Sequence, residues 1–278
     1  MTRPVPSPTW MGEAPPAPPT PRAGDRLRLS ARCVCVVLVF LCGLGAMGVT
    51  RLIETVLRRS DRPLSVHIPR LVSRATVAIL GIGVTIRGRP MRHAGAVVCN
   101  HGSWFDILAL NAASNVFFVA KSEVAGWPGI GFLARIAGTV FIRRDPREAA
   151  AQARLFETRI RAGHRLLFFP EGTSSDTRRV LPFKSTLFQA FFTEDLRARM
   201  WVQPVSLRYH APSGEDPRFY GWWGDMAFAP HLEKLLKARR GGRITLVFHP
   251  PLAVAAHRDR KALAAACEAA VRDGFSAL

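Results

Sequence analysis

The longest stretch without a charged side chain runs from Cys33 to Thr50, and it constrains the fold more than any other feature of the chain. As a helix, this run would extend roughly 27 Å at about 1.5 Å per residue, which is just enough to cross the apolar core of a bilayer. Gly43, Gly45 and Gly48 inside the run also suit a segment that dips into the membrane and returns. A single span, a re-entrant or interfacial element and a buried helix of a soluble domain therefore all remain open.

The flanks of this run divide the chain into three parts. Residues 1–24 are rich in proline and poor in large apolar side chains, which predicts a disordered tail without a site. Residues 25–70 are predicted to form a membrane anchor, in which the alternating apolar and basic segment Arg51 to Arg59 lies in the headgroup layer. Because arginines stand on both sides of the apolar run, the positive-inside rule does not orient it. Residues 71–278 are enough for one large α/β domain.

Short apolar and β-branched runs alternate with helical patterns in residues 71–278. Strands are predicted at 83–86, 96–99, 115–120, 166–169, 200–207 and 243–248, and the helices between them include 147–161. This alternation predicts an α/β fold with a central mixed sheet flanked by helices.

The formal net charge of +19 indicates anionic partners. Nucleic acid, an anionic membrane surface and an acidic donor protein would all qualify, and a solvated basic face that only aids solubility is the simplest alternative. The basic residues are spread along the chain rather than gathered in a nucleic-acid-binding motif, and such a module would leave the apolar run unexplained. We therefore expect membrane lipids, and no nucleic acid, among the partners.

The cysteines and histidines form no ligand pattern. Three of the five cysteines fall inside the apolar run and the other two stand alone, which indicates neither a disulfide framework nor a metal site. The histidines are scattered without metal-ligand spacing, so no metal is expected. Unpaired cysteines place the soluble part in a reducing compartment.

The residue pair His101 and Asp106 carries the clearest chemical signal. His101 follows an apolar run that ends at Cys99, and the pattern after it is helical, so we expect it where a strand opens into a helix. From one helical turn further on, Asp106 can accept the ring N–H of His101, which leaves the other ring nitrogen free to take a proton. No serine lies in a Gly-x-Ser-x-Gly elbow, so the histidine is predicted to deprotonate a substrate hydroxyl. Cys99 could be considered as a nucleophile, but its apolar flank favours a buried, inert thiol.

Three later blocks follow this pair. The second block runs from Lys121 through Pro128, Gly131 and Gly138 to Arg143 and Arg144. The third block is 168–174, and the fourth is 202–206. In this order and at these spacings, the four blocks resemble the glycerophospholipid acyltransferase family, typified by 1-acylglycerol-3-phosphate acyltransferase. The resemblance covers roughly residues 80–210 and implies that residues 71–278 form the acyltransferase domain.

The resemblance implies roles for particular residues. His101 and Asp106 would be catalytic, and the acceptor would be bound by residues of the second and third blocks: Lys121, Arg143, Arg144, Glu171, Gly172, Thr173 and Ser174. Paired guanidiniums can grip a phosphate bidentately, although two solvated arginines paired with nearby carboxylates are the alternative. In the third block, Glu171 can accept hydrogen bonds from substrate hydroxyls and Gly172 allows close backbone approach, with a turn and N-cap as the alternative.

The implied activity is that of a membrane-bound O-acyltransferase. It would move a fatty acyl group from acyl-carrier protein or coenzyme A to the free hydroxyl of a lysolipid, with the donor as co-substrate and no cofactor. We expect 1-acyl-sn-glycerol-3-phosphate as acceptor; lyso-ornithine lipid is the alternative, because Ser174 stands where many members have arginine and because 171–183 and 222–226 resemble that branch. A non-catalytic membrane scaffold is the alternative of another class. The expected location is the inner membrane, with the site on the cytoplasmic side.

Overall fold

The structure is a computed structural model that describes residues 9–17, 20–59, 62–143 and 148–278. Within these residues, the strands are β1 (Gly83–Gly88), β2 (Gly95–Cys99), β3 (Phe117–Lys121), β4 (Val140–Ile142), β5 (Arg165–Phe168), β6 (Trp201–His210), β7 (Arg243–Phe248) and β8 (Leu252–Ala253). The helices are α1 (Asp25–Val56), α2 (Ile68–Ile79), α3 (Asp106–Ala113), α4 (Ile130–Ile136), α5 (Ala149–Arg161), α6 (Glu194–Arg199), α7 (Phe228–Lys237) and α8 (Arg260–Ser276).

The strands form one mixed sheet in the order β1-β7-β6-β2-β5-β3-β4, with β8 paired to β6. Neighbouring strands run parallel except where β6 meets β7 and β8. The predicted α/β class is confirmed, and the predicted strands all occur, although β6 continues three residues past the predicted end at Leu207.

Strand β2 lies in the middle of the sheet and is buried along its whole length. Its alternate side chains point to opposite faces, as they do in any strand. Val97 and Cys99 belong to a core shared with α2, α3 and α7, whereas Ala96 and Val98 belong to a core shared with α5 and α8. Helices therefore cover the sheet on both faces.

The strands β2, β5, β3 and β4 are adjacent and parallel, so their carboxyl ends share one edge of the sheet. In open α/β sheets, ligands bind in the crevice outside this edge. Each of the first three sequence blocks has a segment that leaves the sheet here.

Helix α1 is longer than the apolar run that predicts it, and it is continuous through the three glycines of that run. By length and composition it could cross a membrane, and only 6% of its apolar window is buried inside the protein. The helix is therefore not the buried core helix of a soluble domain. An apolar helix exposed over most of its surface indicates association with a membrane.

Polar contacts fix both ends of α1 to the domain. Near its start, Arg32 donates hydrogen bonds to the carbonyl oxygens of Leu236, Ala238 and Leu80, at 3.1, 2.6 and 3.4 Å. Near its end, the buried carboxylate of Glu54 accepts from the backbone N–H groups of the turn that leads to α2, at residues 64 and 65. The helix is therefore anchored to the domain at two points along its length.

Arg32→Ala should loosen the first of these anchors. Three carbonyl oxygens would lose a charged donor, which we expect to cost about 1–2 kcal/mol of unfolding free energy and roughly 2–4 °C of Tm. Thermal denaturation in detergent measures the change. Arg26→Ala, which removes an exposed arginine of the same helix, is the control; equal Tm values for the two variants would contradict this role.

Candidate active site

The loop that carries His101 begins where β2 ends. Asn100, which is buried directly after the strand, bridges to β6: its Nδ2 donates to the Leu207 carbonyl oxygen at 2.9 Å, and its Oδ1 accepts from the Leu207 N–H at 2.8 Å. The side chain thus extends the pairing of β2 with β6 past the end of the ladder at Cys99. This bridge fixes the direction in which the chain enters the loop.

The carboxylate of Asp106 organises the loop from the start of α3. Its Oδ2 lies 2.6 Å from Nδ1 of His101 and accepts from the N–H groups of Gly102 and Ser103, at 2.8 and 3.1 Å. Its Oδ1 accepts from the Tyr209 hydroxyl at 2.6 Å. The Asp106 side chain is fully buried, and these bonds satisfy both of its oxygens.

The orientation of the His101 ring follows from these contacts. An ionised carboxylate only accepts hydrogen bonds, so the neutral ring carries its proton on Nδ1 and leaves Nε2 as the free base. The ring stacks on Phe169 at a centroid distance of 4.0 Å, and 19% of the side chain remains exposed. The predicted pairing of His101 with Asp106 is thus present in the structure, in a geometry that suits proton transfer at Nε2.

Gly102 lets the loop pack closely against the residues that follow the third block. A Cβ at this position would lie 2.6 Å from Cγ2 of Thr177, which is too close for any side chain. On its other side, the Gly102 carbonyl oxygen accepts from the Trp222 N–H at 3.0 Å. The loop is therefore held between two segments that are distant along the chain.

The third block follows β5, the strand next to β2. Glu171 is 1% exposed, and its Oε1 accepts from the His101 N–H at 3.1 Å. Its Oε2 is buried as well. Burial raises the pKa of Glu171 well above its usual range, against the lowering effect of its backbone hydrogen bonds. Gly172 makes the turn with φ 75°, a conformation that favours glycine.

The other predicted binding residues lie along the same edge of the sheet, further from His101. Lys121 is the last residue of β3 and is half-buried. Arg143 directly follows β4; its side chain is 70% exposed and forms an ion pair with Glu148 at 3.3 Å. In this structure Arg143 therefore makes the solvated ion pair with a carboxylate that the sequence analysis gave as the alternative to a phosphate contact. Arg144 lies outside the described residues.

Cys99 fits the prediction of an inert thiol. Its side chain is fully buried in the core beneath the loop, and burial raises the pKa of the thiol well above its usual value. A thiolate nucleophile at this position is therefore disfavoured.

An N-terminal arm, residues 9–17, lies against the third block. The Trp10 N–H donates to Oγ1 of Thr173 at 3.3 Å. The Trp10 ring packs on Trp223 at a centroid distance of 5.8 Å, and the Arg179 guanidinium stands 5.1 Å from the ring centre. Ser174, next to Thr173, is buried. The arm therefore covers one side of the predicted acceptor site.

A second set of contacts holds the arm further along. The Glu13 carbonyl oxygen accepts from Nε1 of Trp223 at 3.1 Å, and the Glu13 carboxylate forms an ion pair with Arg218 at 3.2 Å. The proline-rich composition of the tail gives no sign of these contacts, because every partner is far along the chain. A lone tryptophan in a tail otherwise poor in large side chains is the one signal that could have indicated them.

Trp10→Ala should release the arm. Without the ring, the contacts with Trp223 and Arg179 are lost, and cleavage after Glu13 by a glutamate-specific protease should become several-fold faster, since cleavage follows the population of the released state. Limited proteolysis followed by mass spectrometry measures this rate. Met11→Ala, at an exposed side chain of the same arm, is the matched control; equal cleavage of both variants would show that Trp10 does not hold the arm.

Known proteins share both the sequence and the fold. A profile of the family described as "Acyltransferase" matches residues 83–208. A lyso-ornithine lipid O-acyltransferase of Rhodobacter capsulatus is 56% identical over 275 residues, which cover 99% of this chain and 98% of the relative. A 1-acyl-sn-glycerol-3-phosphate acyltransferase of Neisseria meningitidis is 38% identical over 149 residues, which cover 52% of this chain and 56% of the relative.

A solved structure supports the fold. The crystal structure of the 1-acyl-sn-glycerophosphate acyltransferase of Thermotoga maritima superposes with a TM-score of 0.61 and covers 90% of this chain and 96% of its own, at 20% identity. At that identity the likeness concerns the fold alone. The near-full-length match to the Rhodobacter protein shows the family, so this chain belongs to the acyltransferase family and is an acyltransferase.

Proposed function

We propose that this protein is a lyso-ornithine lipid O-acyltransferase, which transfers a fatty acyl group to the free hydroxyl of lyso-ornithine lipid. The observation that carries the proposal is the similarity to the Rhodobacter enzyme along almost the whole of both chains. The match to the Neisseria enzyme covers only about half of this chain. The sequence alone favoured 1-acyl-sn-glycerol-3-phosphate as acceptor. The longer match to the Rhodobacter enzyme favours lyso-ornithine lipid instead.

The geometry of the third block supports a headgroup other than phosphate. Ser174 is a buried hydroxyl at the place where many family members have arginine, and the Arg143 guanidinium is engaged by Glu148. Glu171 is buried against the His101 backbone and adds no positive charge beside Ser174. Among the described residues, neither Ser174 nor Glu171 supplies the bidentate cation that would favour a dianionic phosphate.

A second candidate acceptor is 1-acyl-sn-glycerol-3-phosphate. It is favoured by the position of Arg143, which leaves the same sheet edge as the His101 loop and pairs with Glu148 only at an exposed site. An exposed ion pair is worth little, so a phosphate could displace Glu148.

His101 is the proposed general base. Its Nε2 takes the proton of the lysolipid hydroxyl while the hydroxyl oxygen attacks the thioester carbonyl of the donor. A C–O bond forms and the C–S bond breaks, and the imidazolium returns its proton to the departing thiolate. Asp106 stabilises the imidazolium and holds the ring in place. No covalent enzyme intermediate, metal or cofactor takes part.

The donor is proposed to be an acyl thioester of acyl carrier protein or coenzyme A. The net charge of +19 favours both, since each carrier is anionic. Both carriers belong to the cytoplasm, so we propose that the protein lies at the inner membrane with the site on the cytoplasmic side.

A side-by-side assay tests the acceptor. Purified enzyme in detergent should transfer acyl groups from one acyl-carrier-protein donor to lyso-ornithine lipid at least tenfold faster, in kcat/KM, than to lysophosphatidic acid. Thin-layer chromatography of radiolabelled product measures both rates. A preference for lysophosphatidic acid would move the assignment to the second candidate, and Arg143→Ala should then raise KM for that acceptor.

His101→Ala should abolish transfer, because it removes the ring nitrogen that takes the hydroxyl proton. Asp106→Asn should lower kcat on the order of 10²-fold or more, since an amide cannot stabilise the imidazolium as a carboxylate does. Rates are measured with the preferred acceptor, and circular dichroism confirms that each variant is folded. Normal turnover by folded His101→Ala would refute the proposed mechanism.

A further inference from the structure

We propose that Tyr209 is a positioning residue for the His101–Asp106 pair, acting through its hydrogen bond to Asp106. Tyr209 lies in β6, outside the four blocks that carry the family resemblance. Its hydroxyl lies 2.6 Å from Oδ1 of Asp106. The inference rests on the proposed role of His101 as general base.

The topology brings Tyr209 beneath the loop. Strand β6 pairs with β2 up to Cys99, opposite Val205, and then continues to His210 while β2 gives way to the loop. Leu207 receives the Asn100 bridge, and Tyr209 is two residues further along. Residues two apart in a strand share a face, and both Leu207 and Tyr209 belong to the core beneath the loop.

The Tyr209 hydroxyl supplies the hydrogen bond that Oδ1 of Asp106 does not receive from the loop. The donors from the loop all reach Oδ2, and within the described residues Tyr209 is the donor that reaches Oδ1. Without it, one oxygen of a fully buried carboxylate would have no partner, which is costly. The bond also fixes the plane of the carboxylate, and with it the direction in which Oδ2 meets His101.

The direction of the bond is determined by its surroundings. Burial, reinforced by the charge of Asp106, raises the pKa of Tyr209 well above its usual value, so the hydroxyl keeps its proton and donates. The ring cannot easily move, because it is buried and stacks on Tyr220 at a centroid distance of 4.8 Å. Tyr209 therefore draws part of the carboxylate charge away from Oδ2.

Removal of this donor should change the proton affinity of the base. In Tyr209→Phe, the carboxylate charge would concentrate on the side of His101 and stabilise the imidazolium more strongly. The acid limb of the kcat/KM profile should therefore move to higher pH, by about 0.5 unit or more, and kcat should fall several-fold. The other titratable groups that face the pair are Cys99 from β2, Glu171 from the third block and Tyr220 beside the ring.

The test compares Tyr209→Phe with Tyr220→Phe. Tyr220→Phe removes a hydroxyl from the stacked ring and leaves the bond to Asp106 in place. Profiles of kcat/KM between about pH 5 and 9, with whichever acceptor the wild type uses, should show the shift for Tyr209→Phe alone. The inference would be overturned if the acid limb of the Tyr209→Phe profile stayed in place or moved to lower pH. It would also be overturned if the acid limb moved equally in both variants.

A second comparison separates this inference from the proposed function. If His101→Ala is inactive while Tyr209→Phe leaves the acid limb of the kcat/KM profile unmoved, only the proposed role of Tyr209 is wrong. If folded His101→Ala turns over normally, the general-base mechanism itself fails. In the Asp106→Asn background, Tyr209→Phe should shift nothing further, because the effect passes through the carboxylate; an undiminished shift there would also overturn the inference.

Discussion

The buried carboxylate of Asp106 is the contact on which the rest of the site depends. A charge removed from water is stable only if donors replace the water, and here the donors come from His101, from two backbone N–H groups of its loop and from Tyr209 in the neighbouring strand. This set of hydrogen bonds therefore forms only when three parts of the fold are in place together: the end of β2, the start of α3 and the end of β6. The orientation of the histidine ring follows from the same carboxylate.

The sheet determines how far from His101 each predicted binding residue starts. Neighbouring strands are about 4.8 Å apart, so Arg143, after the third strand from β2, starts roughly 14 Å from the strand of His101. The third block follows the adjacent strand, and Glu171 touches the backbone of His101 directly. Of the predicted binding residues, those of the third block therefore start closest to His101, and the N-terminal arm packs beside them.

The sequence predicted the parts of the molecule that have a local signal. The alternation of strands and helices indicated the α/β class, and the spacing of His101 and Asp106 indicated their contact, because a strand end and one helical turn bring the two side chains together. Tyr209 had no such signal, and Trp10 was marked only as a lone tryptophan in the tail, since their partners lie 103 and 163 residues away. For Arg143, the sequence could not distinguish a phosphate contact from the ion pair with Glu148, because the two depend on where one exposed side chain points.

The protonation state of His101 tests the account most directly. Enzyme labelled with ¹⁵N-histidine, compared with His101→Gln to assign the signal, reports which ring nitrogen carries the proton in the neutral ring. We predict a proton on Nδ1, shared with Asp106, and an unprotonated Nε2. A neutral ring with its proton on Nε2 would contradict it, because that nitrogen could then not accept the hydroxyl proton.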